Sequence, residues 1–233
     1  MTGPLDGIRV LEVAAWTFVP AAAALLGDMG AEIIKVEPPT GDPQRALRNA
    51  LNASSCGPNP FVEIPNHGKR SVTLDLKVSE GRAFLDRLVM SSDVFMTSYL
   101  PSTCADLGID VNDLRAVNPQ IVYARGTGWG RHGPMAETGG FDLAAAWAVS
   151  GLAHRLEQGT DGAPSMPPAF FDLQASVQLS GAVSAALFGR ERTGTPSVID
   201  VALMNVAMWA VSPHIVSAPY TDRKSTRLNS SHG

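Results

Sequence analysis

The sequence predicts an α/β fold: an open parallel sheet with helices on both faces. Three features predict it. Short β-rich runs alternate with helical stretches from residue 7 to residue 126. The first such unit is a strand, a short helix and a second strand, which implies a parallel pair joined by a right-handed crossover. A loop with six glycines between positions 126 and 140 then marks where the alternation gives way to longer helices.

The elements follow in order. Ile8-Arg9-Val10-Leu11-Glu12-Val13 is the first strand. Pro20 sits where a helix can begin, and residues 21–29 continue it. Gly30 is placed to end that helix, and Ala31-Glu32-Ile33-Ile34-Lys35-Val36-Glu37 returns as a strand. Residues 38–68, rich in Pro and Asn, read as a loop with one short helix. Ser71-Val72-Thr73-Leu74-Asp75-Leu76 alternates as a strand, and Ser79 is placed to cap a helix running to Met90. Asp93-Val94-Phe95-Met96-Thr97 is the next strand, residues 110–117 a short helix, and Ile121-Val122-Tyr123-Ala124-Arg125 a further strand. Residues 126–140 read as a flexible loop, 141–152 as helical, and 159–168 as a Gly/Pro-rich link. A long alanine-rich helix spans 172–192, with Arg190 and Arg192 complementing its C-terminus. Val198-Ile199-Asp200-Val201 is a strand, and 203–211 is helical. The whole is a Rossmann-like arrangement.

Composition narrows the function. A chain of 233 residues with 45% hydrophobic and 17% charged residues can build one large domain with a real core. The net charge of −4 lacks the basic excess that neutralising a nucleic-acid backbone requires, so no nucleic-acid partner is expected. A phosphate-bearing ligand needs only a few local cations. Two cysteines, Cys56 and Cys104, make neither a disulfide framework nor a metal cluster, and no metal site is expected. The N-terminus lacks a basic start followed by an apolar run, and residues 21–26 are too short to span a bilayer. A cytoplasmic protein without a membrane partner is the expectation.

The strand–helix–strand start invites a nucleotide-binding test. The first turn, Glu12-Val13-Ala14-Ala15-Trp16-Thr17-Phe18-Val19-Pro20, contains no glycine. A dinucleotide fingerprint needs glycines for backbone to approach a pyrophosphate, and no Gly-rich loop ending in Lys-Ser or Lys-Thr occurs elsewhere. Ordinary dinucleotide binding and P-loop phosphoryl transfer are disfavoured.

Five blocks carry a family resemblance. Leu5-Asp6-Gly7-Ile8-Arg9-Val10-Leu11-Glu12 is followed by Pro20 and by Gly30-Ala31-Glu32-Ile33-Ile34-Lys35-Val36-Glu37. Asn66-His67-Gly68-Lys69-Arg70-Ser71-Val72-Thr73-Leu74-Asp75-Leu76-Lys77 comes next, then Arg190-Glu191-Arg192-Thr193-Gly194 and Asp200-Val201-Ala202-Leu203. Their order and spacing over residues 4–216 resemble the N-terminal part of family III CoA-transferases, the CaiB/BaiF type that includes formyl-CoA transferase. The resemblance implies transfer of coenzyme A from an acyl-CoA thioester to an acceptor carboxylic acid, with CoA as substrate and no permanently bound cofactor.

On that resemblance, Asp172 occupies the position of the catalytic aspartate that forms covalent aspartyl intermediates. An aspartate suits the task as a nucleophile whose acyl derivatives stay reactive. Read from the sequence alone, an aspartate at a helix start is a capping residue, and the two roles are compatible. The family's usual glycine before it is replaced by Phe171. Asp142 matches an acidic position near the nucleophile; its plain alternative is a solvated residue at a helix start. Trp16, Thr17 and Phe18 fall where the family lines its acyl-CoA site, or else belong to the core. Leu74 and Lys77 align with positions near the adenine and a phosphate, although an exposed lysine after a strand is commonplace. Ser98 and Tyr99 stand in the Asn-Phe-x-Pro-Gly region, with Ser98 replacing Asn. Asp106 and Pro38 stand where basic residues are frequent; Arg45 and Arg70 are candidate replacements.

Acyl-CoA racemases or epimerases on the same fold resemble Gly-His-Asp at this point, and Phe141 in place of that His cannot move a proton. A catalytically silent CoA-binding module of a fused transferase is the other alternative. The resemblance implies an interlocked homodimer whose chain continues into a small domain and returns, so the present segment alone is expected to show little turnover. Residues 1–220 are read as the large domain, and the polar residues 221–233 as a non-native tail.

Overall fold

The structure is a computed structural model that describes residues 3–47, 57–157, 162 and 165–220. Cys56, half of the 159–168 link and the 221–233 tail lie outside the described residues. The chain runs β1 (Arg9–Val13), α1 (Phe18–Asp28), β2 (Glu32–Glu37), α2 (Pro60–Asn66), β3 (Arg70–Thr73), α3 (Ser79–Met90), β4 (Val94–Thr97), α4 (Pro101–Asp106), α5 (Val111–Val117) and β5 (Val122–Thr127). A π-helical turn (Leu143–Ala148), α6 (Leu152–Leu156), α7 (Phe170–Thr193), β6 (Val198–Ala202), α8 (Leu203–Ala210) and α9 (Ser212–Ser217) complete it, with 3-10 turns at Pro43–Ala46 and Ala218–Tyr220.

Six strands form one sheet in the order β3-β2-β1-β4-β5-β6, and every neighbouring pair is parallel. The strands alternate, so each face buries its own core. On one face Val10, Ile33, Val94, Met96, Val122 and Ala124 pack beneath α1, α7 and α8. On the other, Leu11, Val13, Val36, Phe95 and Tyr123 pack beneath α3, α4 and α5. The predicted α/β class and parallel sheet are both present.

Local differences from the sequence reading have physical reasons. Helix α1 begins at Phe18, before Pro20. A proline within the first turn removes an N–H that has no intrahelical acceptor anyway. Ser79 is the first helical residue of α3; Val78 holds the cap position with no side-chain cap bond. Helix α4 was not foreseen. Pro101 opens it, and at six residues it is too short for apolar periodicity to register. The 141–152 stretch is not one helix, because Gly151, at φ 76°, breaks it.

The glycine loop is packed rather than loose where it leaves the sheet. A Cβ on Gly126 would run into Val19 and lie 2.7 Å from Phe18, and one on Gly128 would lie 2.8 Å from the Gly140 backbone. Both glycines are places where α1 and the returning loop approach β5 too closely for a side chain. The Gly128 carbonyl also accepts from Met204 N–H at 3.1 Å, tying the loop to α8.

Candidate active site

In an open α/β sheet, ligands bind outside the carboxyl ends of the strands where the strand order reverses. Here that point lies between β1 and β4. A cleft of about 420 Å³ opens there, bounded by the β1–α1 turn, the start of α4, the glycine loop and the first turn of α7.

The β1–α1 turn is held in an unusual conformation. Trp16 has φ 71°, a left-handed backbone that a residue with a Cβ rarely adopts. Its N–H donates to Asp42 Oδ1 at 3.3 Å. Next door, Ser98 Oγ accepts from Ala15 N–H at 3.0 Å and donates to the Ala15 carbonyl at 3.2 Å. The two tethers aim the Trp16 ring at the cleft, where it meets Phe141 edge to face with centroids 5.0 Å apart.

Beneath that turn is a buried ionic network absent from the sequence reading. Glu12, Lys35 and Asp42 are each at most 5% exposed. Lys35 Nζ lies 2.8 Å from Asp42 Oδ2 and 3.1 Å from Glu12 Oε1, and Lys69 Nζ lies 2.5 Å from Glu12 Oε2. Burial alone would lower the Lys35 pKa, but the carboxylates of Glu12 and Asp42 outweigh it and the net shift is upward. For Lys69 burial wins, and its pKa falls despite Glu12. Periodicity gives no hint of this cluster, because Lys35 and Glu12 look like ordinary charged residues on strands.

Asp172 lies in the third helical position of α7, half-buried in the cleft wall. It is not the cap: Ala169 occupies that position, at φ 59°. Burial, and then the nearby Asp142 carboxyl, push its pKa up to about 7. Asp142 is 6% exposed, and its Oδ2 has no hydrogen-bond partner. Burial raises its pKa also, partly offset by the backbone N–H groups of Leu143 and of Phe171 and Phe170 at the start of α7. Two carboxyl groups in one water-poor site compete for ionisation, so the site favours holding a proton. The N-terminal helix dipole opposes that tendency and favours anion character at Asp172.

Most of the predicted site residues divide between two adjoining clefts; Asp142, buried, lines neither. Trp16, Phe18, Ser98, Tyr99 and Asp172 line the first. Leu74 and Lys77 line a second, of about 370 Å³, and Tyr99 and Thr103 border both. Thr17 is not among the lining residues; it is buried, and its hydroxyl accepts from Gln44 Nε2 at 2.7 Å. Ser98 reaches the cleft, but its hydroxyl is committed to Ala15. The candidate replacement cations are likewise engaged: Arg45 with Glu37 at 2.7 Å and Arg70 with Glu32 at 2.6 Å. Leu100, Thr103 and Leu203 line the first cleft without having been foreseen. A β-strand end followed by Pro is the one signal that could have flagged Leu100 and Thr103.

Among the described residues, no group of three or more His, Cys, Asp or Glu is placed to hold a metal ion, and no helix is long and apolar enough to cross a membrane. Cys104 is a buried free thiol.

Residues 5–233 match the family model described as CoA-transferase family III. Among curated relatives, a cinnamoyl-CoA:phenyllactate CoA-transferase of Clostridium sporogenes is 31% identical, covering 95% of this chain and 54% of its own length. A succinate–glutarate CoA-transferase of Agrobacterium fabrum is 34% identical, covering 98% of this chain and 58% of its own. The chain thus spans little more than half the length of these relatives. Among solved structures, a CaiB/BaiF family protein from Brucella suis superimposes with a TM-score of 0.81 at 29% identity, covering 95% of this chain and 58% of the other. Rv3272 from Mycobacterium tuberculosis gives 0.81 at 34% identity, covering 93% and 60%.

Proposed function

The chain belongs to CoA-transferase family III, and from that premise we propose that it moves coenzyme A from an acyl-CoA thioester to an acceptor carboxylic acid through covalent intermediates on Asp172. The observation that carries this reading is the seat of Asp172: half-buried, at the start of a 24-residue helix, in the wall of the cleft at the switch point.

Asp172 must be ionised to act as a nucleophile. Its carboxylate attacks the thioester carbonyl, the C–S bond breaks, and CoA leaves as the thiolate, giving a mixed anhydride. The thiolate attacks the aspartyl carbonyl, releasing the donor carboxylate and leaving an aspartyl-CoA thioester. The acceptor carboxylate attacks that thioester, expelling the thiolate and forming a second anhydride. The thiolate then attacks the acceptor carbonyl, giving the new acyl-CoA and restoring Asp172. Asp142 acts by raising the proton affinity of its neighbour. The second cleft, with Leu74 and the exposed Lys77, is the reading's place for the nucleotide end of CoA, where an ammonium suits a phosphate as a point charge. Tyr99 borders both clefts and would lie along the connecting arm. A homodimer is part of the same reading.

The test is chemical trapping. After incubation with an acyl-CoA, hydroxylamine should convert Asp172 to a hydroxamate, seen by peptide mass spectrometry and lost in Asp172→Asn. CoA binding without any adduct would instead support the silent module. Scrambling of the substrate α-carbon without transfer would support a racemase.

A further inference from the structure

Resting on the CoA-transferase reading, we propose that the acyl group seated against Asp172 is uncharged and apolar, an alkyl or aryl chain rather than one ending in a second carboxylate. The argument is the chemistry of the walls this chain supplies. Trp16, Phe18, Tyr99, Leu100, Phe141 and Leu203 line the cleft, and among the described residues no Lys, Arg or His does. Trp16 and Phe141, in edge-to-face contact, present a partly exposed aromatic surface of the kind that gains by covering with a hydrocarbon.

A distal carboxylate would find no counter-charge there. The cations on flanking elements are turned away and neutralised. Arg125 on β5 is held by Asp200 at 2.6 Å and by Asp110 at 3.3 Å. Arg131 in the glycine loop is held by Asp110 at 2.8 Å. Lys35 is enclosed with Glu12 and Asp42. His132, in the same loop, borders a different cavity beside β6. The hydroxyls on the cleft wall supply no counter-charge: Ser98 Oγ is committed to Ala15, and those of Tyr99, Thr103, Thr127 and Thr138 are neutral donors that leave a buried carboxylate without a cation. The charged group lining the cleft is Asp172, with Asp142 behind it, so a second substrate carboxylate would meet like charge. Burying an anion without a partner is costly, whereas burying methylenes is favourable.

The experiment uses thioesters of N-acetylcysteamine, which carry no nucleotide and therefore report on this cleft alone. The full chain is titrated calorimetrically at pH 8 with the hexanoyl and the succinyl thioester. Hexanoyl should bind at least about tenfold more tightly, the factor expected from burying roughly two methylenes. Succinyl binding as tight or tighter overturns the proposal, and so does binding of neither. Phe141→Arg, at an exposed position, should narrow or reverse the ratio by supplying the missing cation; an unchanged ratio would remove charge as its cause. Titration with CoA itself separates the two readings: no CoA binding, with the hexanoyl preference intact, would sink the transferase reading and leave the cleft chemistry standing.

Discussion

Asp42 joins two structures that the sequence holds far apart: its Oδ1 receives the Trp16 backbone N–H at 3.3 Å, and its Oδ2 lies 2.8 Å from the Nζ of Lys35. The left-handed turn that points Trp16 into the cleft is therefore anchored on a buried ammonium. Replacing Lys35 by Met leaves Asp42 and one oxygen of Glu12 buried without their counter-charge. Removing one partner of such a pair costs about 3–5 kcal/mol. Urea unfolding of Lys35→Met should show a loss in that range; a loss below about 1 kcal/mol would mean that water or Lys69 replaces it.

The packed exit of the glycine loop makes a second prediction. A methyl on Gly126 would press into Val19 and Phe18, both on α1 and both buried in the core. Overpacking of this kind costs about 1–3 kcal/mol. Gly126→Ala should lower the unfolding midpoint accordingly, whereas Gly139→Ala, where a Cβ meets nothing within 4 Å, should change it little. Equal effects at both positions would contradict the close approach.

These two predictions mark the boundary of what the sequence showed. The parallel sheet was legible because Val10, Val94 and Val122 on one face and Leu11, Phe95 and Tyr123 on the other give these strands apolar residues on both faces, separated by helices of clear composition. The neighbourhood of Asp172 was legible only through the family's spacing, since an aspartate near a helix start carries no chemistry by itself. The Lys35 network was not legible. It depends on which charged residues of β1, β2 and the following loop share a burial site, and that is a property of packing, not of local pattern. For the same reason Ser98 and Thr17 could be placed near the site, but not their commitment to Ala15 and Gln44.

Trp16 separates strain from function. Its left-handed backbone costs about 1–2 kcal/mol that glycine would not incur. Trp16→Gly regains this while losing the ring contact with Phe141, worth about 0.5–1.5 kcal/mol. Because about two-thirds of the indole is covered as well, the net should be a loss of roughly 1–3 kcal/mol. Binding of an apolar thioester should nonetheless weaken by roughly tenfold, since a large part of the apolar wall is gone. A loss above about 4 kcal/mol, that of a fully buried indole, would show instead that the ring is a structural element.

Asp172 makes stability depend on pH in a direction opposite to that of a salt-bridged carboxylate. Its pKa is about 7 in the folded chain against the 3.8 of an ordinary aspartate. Below about pH 4 both states hold the proton and the site costs nothing. Between pH 4 and pH 7 the unfolded chain releases the proton while the folded chain retains it, so each step up in pH favours unfolding. Above pH 7 the folded group is ionised as well, and the cost levels off. Asn in its place has no proton to lose. Asp172→Asn should therefore match the wild type at pH 4 and exceed it at pH 8 by on the order of 2 kcal/mol, less than the full shift because the group is partly open to solvent. Urea unfolding of both proteins across that range reads the difference directly. A gap that does not widen as pH rises would place the Asp172 carboxyl in ordinary contact with water and contradict the buried, proton-holding site.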